Sequence, residues 1–230
     1  MRREGRWILR AISLDLQPGA ILGVLGPPEA GKSALLKALA GLQSIEAGRI
    51  HREEGGAAPG PGQGGVGFAF QNNALFDDLD VFDNVALPLR QAGIDPSAIE
   101  ARVLARLREV ELYAARAQHP SALSGGMQKR LGVARATIGA PGLGLFDEPT
   151  AGLDPQTTGT ILGLLQRLTQ QLQMATLIVS HDLPALLPIC SQILLLHAGR
   201  AVFCGSQQDL FASTHPVVRQ FIRGSLKGPL

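Results

Sequence analysis

The chain is poor in anything that could staple it. Its 230 residues hold two cysteines, Cys190 and Cys204, too few for a disulfide framework and at no metal-ligand spacing. Both fall in apolar segments and read as buried, reduced thiols. Long apolar runs are missing as well: stretches such as Ile193 to Leu196 fall far short of the ~20 residues of a membrane-spanning helix, so a soluble chain is expected. The start, "MRREGRW", has the positive charge of a signal peptide, but Arg10 and Asp15 interrupt the apolar run after it. No export signal is read, and an intracellular location is expected. Nor is there an excess of one charge. Twenty-one basic and 19 acidic residues are interspersed, for a net charge of +2, and without a basic stripe nucleic acid is not expected as a partner. What is present is apolar content, 45% of the residues, enough to bury the core of one substantial domain.

Short apolar runs alternate with longer amphipathic stretches, the pattern of an α/β domain with a largely parallel sheet. "AILGVLG" (Ala20 to Gly26) reads as a buried strand. "KSALLKALAGL" reads as the helix after it, with Leu35, Leu36, Leu39 and Leu42 near helical spacing. "LGLFDEP", "ATLIVSHD" and "QILLLHAGR" are three more strands. Between them, residues 72–125 carry helical patterns such as "IEARVLARLREVEL", preceded by Ser97 as a cap. This stretch reads as a helical lobe inserted into the sheet domain. "GGAAPGPGQGG" (Gly55 to Gly65) is too rich in Gly and Pro for regular structure and reads as a mobile loop between strands.

Gly26, Pro27, Pro28, Glu29, Ala30, Gly31, Lys32 and Ser33 satisfy G-x-x-x-x-G-K-[ST], with a strand before and a helix after. Loop N–H groups and the helix N-terminus would face phosphates, Lys32 would reach the β- and γ-phosphates, and the Ser33 hydroxyl would ligate Mg²⁺. Asp147 ends an apolar strand, where its carboxylate can hold Mg²⁺. Glu148 beside it can polarise an attacking water. "LSGGM" sets Ser124, Gly125 and Gly126 at a second helix N-terminus suited to anions. His181 lies just past a strand, in reach of a γ-phosphate. Taken singly, two acids at a strand end are a solvated edge, Ser124 is an ordinary cap, and a lone histidine is structural.

In this order, "GPPEAGKS", "FQNNALF", "LSGGM", "LFDEPTAGLD" and "SHD" resemble the ATPase subunit of an ATP-binding-cassette transporter over nearly the whole chain. The resemblance implies a P-loop NTPase fold in one domain, 1–230. Its catalytic core would be 1–70 and 140–230, with a helical lobe at 72–139 and a small antiparallel β region near the N-terminus. It implies ATP and Mg²⁺ as cofactors. Two subunits would pair head to tail, as homodimer or heterodimer, with each ATP between the Lys32 loop, including Ala34, of one and Ser124, Gly125 and Gly126 of the other. Gln71 would sense Mg²⁺ and the attacking water, Glu148 would be the general base, His181 the γ-phosphate contact, and Asp154 the residue crossing the dimer. An integral membrane permease would be driven from the cytoplasmic face, with this subunit peripheral on that face.

"FQNNALFDDLDVFDNVALPL", Met127 in the signature and the tail "HPVVRQFIRGSLKGPL" are similar to the Mce-type, maintenance-of-lipid-asymmetry ATPases, including plastid and cyanobacterial members. That implies phospholipid transport with an Mce-domain lipid-binding partner. ATPases of polar amino-acid importers share much of the pattern and stay open as an alternative. Two cradle positions depart from it: Glu29 stands where a glycine is usual and Ala34 where a threonine is usual. A side chain at the first and a lost hydrogen bond at the second should weaken nucleotide binding about tenfold or more. An impaired copy paired with an active paralogue is therefore a further alternative. The strand aromatic that stacks on adenine in cassette ATPases is also missing near Arg2 and Arg3, which leaves Trp7 as the candidate.

Overall fold

The computed structural model describes residues 1–3, 6–51, 65–225 and 228, with residues 2, 3, 6 and 7 described by backbone alone. The side chain of Trp7 and the Gly55–Gly65 segment, apart from Gly65, lie outside the described residues. The central feature is a six-stranded sheet of β3 (Ile21–Leu25), β4 (Val66–Ala69), β5 (Leu143–Asp147), β6 (Ala175–Val179), β7 (Gln192–His197) and β8 (Arg200–Gly205). Its order is β4-β5-β6-β3-β7-β8. All neighbours are parallel except β7 and β8. Near the N-terminus, β1 (Arg2–Arg3) and β2 (Arg6–Trp7) form a short antiparallel pair. Among the described residues no helix is long and apolar enough to cross a membrane.

The sheet is covered on both sides because the central positions of its inner strands are largely apolar and alternate between two cores. Ile21, Leu25, Phe146, Ile178, Ile193 and Leu195 face one core. Leu22, Val24, Leu145, Leu177, Val179, Leu194 and Leu196 face the other. The second face is closed by α1 (Lys32–Leu39), through Leu35, Leu36 and Ala38, and by the segment around Leu9. On the first face lie α4 (Gly125–Thr137) and α5 (Pro155–Leu172), and their core runs without a break into α2 (Val81–Gln91) and α3 (Pro96–Glu109). Helical residues thus fill the chain between β4 and β5, as the sequence pattern implies.

Three local expectations are corrected. The first helix ends at Leu39, so Leu42 lies beyond it and is 60% exposed. The cap of α3 is Asp95, not Ser97: Pro96 occupies the first helical position, and the Asp95 carboxylate accepts from the Ser97 N–H at 2.9 Å and from its hydroxyl. Both cysteines are free, but Cys190 is half-buried and Cys204 is exposed. Cys204 sits on β8, the antiparallel edge strand, whose side chains are only partly covered.

The turn that leads from the sheet to α2 is tied by one buried side chain. Asn84 accepts from Phe76 N at 3.0 Å and donates to the carbonyls of Phe76, Leu79 and Asp80, each at 3.0 Å. Asp80 caps the helix, accepting from Asp83 N at 2.7 Å. Replacing Asn84 by Ala leaves those backbone groups without their partner in a site that is fully buried at the side chain. A loss of about 2–3 kcal/mol in unfolding free energy is expected in urea titrations of Asn84→Ala.

Candidate nucleotide site

Parallel strands deliver their C-terminal ends to one edge, and the register decides what meets there. Val24 of β3 pairs with Val179 of β6, and Val179 pairs with Asp147 of β5. Within two residues of those positions come the Gly26 loop, Glu148 and the Ser180–His181 turn. Glu148 N–H donates to Val179 O at 3.0 Å and Ser180 N–H to Val24 O at 3.3 Å, so the three turns leave the sheet together.

The loop between β3 and α1 is shaped by backbone constraints. At Gly26, with φ of 149°, a Cβ would stand 2.2 Å from Leu196 O of β7. Gly31, at the start of α1, has φ of 102°. Lys32 is buried, and its ammonium donates to Gly26 O and Pro27 O, both at 2.8 Å. Two of its three N–H donors thus fasten it across its own loop. Glu29 has φ of 60°, a left-handed conformation in which a glycine carries no Cβ penalty. Its residue is exposed, as is Pro28. Ser33 is half-buried at the helix start, and Ala34 packs into the core beneath α1.

Lys32, Asp147, Glu148 and His181 form one electrostatic cluster. Burial lowers the Lys32 ammonium from its ordinary value, while Glu148 and Asp147 hold it up. Burial raises the Glu148 carboxyl to about 7, against the pull of Lys32, the His181 backbone N–H and Lys129. His181 Nε2 is 3.0 Å from Glu148 Oε1. Burial and the Lys32 charge both lower the His181 imidazole, which makes the neutral ring dominant at pH 7. Glu148 itself is held at φ of 49°.

The acceptor set fits a hard, oxygen-seeking cation. Asp147 Oδ1 is sealed from solvent with no hydrogen-bond partner, and Glu148 Oε1 is sealed too, its contact with His181 not aligned as a hydrogen bond. Among the described residues no group of three or more His, Cys, Asp or Glu is placed to enclose a metal ion by itself. That suits Mg²⁺, which takes one or two carboxylates and completes its shell with substrate phosphates and water.

Ser124, Gly125, Gly126 and Asp154 lie outside this cluster. Ser124 caps α4, accepting from Met127 N at 3.3 Å, and is exposed. Asp154 caps α5, accepting from Gln156 N and Thr157 N, each at 3.0 Å, and from the Thr157 hydroxyl at 2.5 Å. The two caps adjoin, because a Cβ on Gly126 would meet Thr157 Cγ2 at 2.8 Å. Among the described residues no hydrogen bond or ion pair joins Ser124 or Asp154 to Lys32, Glu148 or His181. Gln71 is exposed at the end of β4, and its carbonyl accepts from Lys129 Nζ at 2.6 Å. Lys129 is the residue that sequence reasoning misses. In "GMQKR" it looks like one more solvated helix charge, and only its burial in the fold gives it away.

Comparison with known proteins agrees with this geometry. The ABC transporter family model matches residues 9–151. The intermembrane phospholipid transport system ATP-binding protein MlaF of Escherichia coli (strain K12) is 37% identical over 99% of this chain and 87% of its own length. The methionine import ATP-binding protein MetN of Rhodopseudomonas palustris (strain BisB5) is 38% identical over 92% of this chain, which spans 59% of that relative's length. Among solved structures, the dimeric structure of MJ0796, a bacterial ABC transporter cassette, superimposes with a TM-score of 0.75 at 26% identity, covering 87% of this chain and 91% of that one. A second, a dimeric post-hydrolysis state of the MJ0796 ATP-binding cassette bound to ADP and Pi, gives 0.76 at 27% identity over 90% and 93%. With a phosphate-type loop, buried Lys32, Asp147 and Glu148 beside an exposed His181 at the sheet's carboxyl edge and this match in sequence and fold, the chain belongs to the ABC transporter family and carries its ATPase cassette.

Proposed function

We propose that the chain binds Mg²⁺ and ATP, hydrolyses the γ-phosphate and drives a membrane permease that moves phospholipid. The observation that carries the ATPase reading is the placement of the buried Glu148 carboxyl at the sheet's carboxyl edge, 3.0 Å from His181 Nε2 and next to Asp147 and the buried Lys32 of the phosphate loop, where burial also raises its pKa. A general base works best when its pKa lies near the operating pH. Ionised Glu148 accepts a proton from the attacking water, the neutral His181 side chain donates to a γ-phosphate oxygen, and Lys32 offsets the charge on the β- and γ-phosphates. Mg²⁺, held by Ser33, Asp147 and Gln71, would neutralise phosphate charge.

A second copy completes the site in this reading. Ser124, Gly125 and Gly126 form an exposed helix N-terminus with no bond to the Lys32 cluster, so their free N–H groups are available to ATP on a partner copy. Asp154 would reach across the same seam. The similarity to two dimeric cassette structures supports the pairing. The permease would dock at an open groove of about 570 Å³ between β4, α2 and α4, lined by Phe70, Phe76 and Arg135. Phe70 and Phe76 are exposed there, and the groove adjoins the Gln71 loop. Phospholipid as cargo, with an Mce-domain partner, rests on the "FQNNALF" stretch, Met127 and the similarity to the phospholipid-transport relative. Similarity to methionine-import relatives supports the competing cargo. A further reading, an assisting copy beside an active paralogue, rests on the left-handed Glu29 and on Ala34.

Reconstituted with its permease, the protein is expected to show ATP-dependent phospholipid transfer, with turnover falling about 10²-fold or more in Glu148→Gln. Methionine transfer instead would overturn the cargo and leave the ATPase reading intact; turnover insensitive to Glu148→Gln would sink that reading itself. In equilibrium titrations, Glu29→Gly with Ala34→Thr should tighten ATP binding about tenfold, and an unchanged affinity would show that neither position limits it. A third expectation concerns pH. The folded Glu148 carboxyl titrates near 7 against an ordinary 4.5, so between those values the folded chain keeps a proton that the unfolded chain has released. Stability therefore falls as pH rises through that window. Glu148→Gln, which has no proton to lose, should stabilise the nucleotide-free protein by about 2 kcal/mol more at pH 8 than at pH 4, as read from thermal or urea unfolding at the two values.

A further inference from the structure

Helix α4 bears on the Gln71 loop through a stripe of residues spaced by three, Lys129, Gly132 and Arg135. Lys129 Nζ donates to Gln71 O at 2.6 Å. At Gly132 the helix passes Asn73, whose side chain is 3.7 Å from where a Cβ on the glycine would stand, an ordinary contact distance. Arg135 donates to Asn73 O and Ala74 O, both at 2.7 Å, and its guanidinium stands 5.5 Å from the centre of the Phe76 ring. Asn73 and Ala74 are consecutive left-handed residues, at φ of 57° and 45°, a backbone path that costs energy without such ties. The loop is therefore fastened to α4 and not only to the sheet strand that precedes it.

Of the two cations, Arg135 holds the loop alone, whereas Lys129 also reaches the catalytic turn. Its ammonium lies 3.4 Å from Glu148 O. The residue is buried, and its charge faces carbonyl oxygens, with no carboxylate in ion-pair contact among the described residues. Burial lowers its pKa, with Glu148 and then Asp147 opposing. A buried ammonium without an ion-pair partner is costly, and a loop fastening alone does not require one, since a neutral amide would serve Gln71 O as well.

We propose that Lys129 is a positioning residue for hydrolysis, gripping the backbones of Gln71 and Glu148 together and so setting their side chains relative to each other at the attacking water. The inference rests on the ATPase reading above. Because Lys129 lies five residues after Ser124 on the helix that Ser124 caps, the same grip ties the signature helix to the base.

The test compares Lys129→Met, Lys129→Gln and Lys129→Arg in the full chain reconstituted with its permease. Lys129→Met should lower kcat about 10- to 100-fold, the scale of a small misplacement of catalytic groups, with KM for ATP within about twofold. Lys129→Arg, which can reach both carbonyls, should recover most of the rate, and Lys129→Gln should fall between. Hydrogen exchange of the amides at 72–76, read without ATP, should quicken in Lys129→Met and not in Lys129→Arg. Faster exchange with an unchanged kcat would reduce Lys129 to a loop fastening and overturn the proposal, as would a loss confined to KM. Where Lys129→Met does not fold, equal rates for the Arg and Gln variants overturn it and an Arg-only rescue upholds it. A wild-type chain without Glu148-dependent turnover fails differently, because then the ATPase reading falls first.

Discussion

Two adjacent carboxylates and two ammonium groups share one poorly solvated edge of a parallel sheet, and the site depends on keeping that charge balanced. Asp147 and Glu148 would repel each other and resist burial on their own. Lys32 comes from the loop after β3 and Lys129 from α4, and each feels both carboxylates. Neither lysine forms a close ion pair with them. Both bind main-chain carbonyls, Gly26 and Pro27 for the first, Gln71 and Glu148 for the second. The positive charge is thus fixed by backbone geometry, and the carboxylate oxygens are left for other partners, as the sealed Asp147 Oδ1 illustrates.

That arrangement requires the observed strand order. β3 lies between β6 and β7, and β6 lies next to β5, so the loop carrying Lys32, the turn carrying His181 and the end carrying Glu148 are neighbours although they are far apart in sequence. The alternating apolar faces of the strands hold the register that makes them so. A slip of one residue would turn Leu22, Val24 and Leu194 to the opposite core and pull the three turns out of line.

Much of this is legible in the sequence. The strands before Gly26, at Leu143–Asp147 and at Ala175–Val179 announce themselves by apolar runs that end in glycine, acid or histidine, and the phosphate-loop pattern is specific in that setting. The helical texture between β4 and β5 is equally plain. Other features depend on tertiary contact or on small competitions between neighbours. Asp95 takes the α3 cap from Ser97 because Pro96 fits the first helical turn. Cys204 looks buried by its apolar neighbours, yet β8 is an edge strand. Lys129 and Arg135 carry no local signal at all, since their partners in the Gln71 loop lie 58 and more residues away. Glu29 reads as an obstruction in the cradle, and only the fold shows that it occupies an exposed, left-handed backbone position there.

The cap of α5 has a consequence for how one copy would sense another. Asp154 spends both carboxylate oxygens inside its own chain, on Gln156, Thr157 and the Thr157 hydroxyl, and Thr157 in turn touches Gly126. A residue already occupied in this way cannot greet a neighbour for free. Reaching across a seam would give up part of that helix cap for the new contact and loosen the first turn of α5, beside which Gly126 lies. Any partner at that face would therefore compete with bonds that Asp154 already makes inside its own chain.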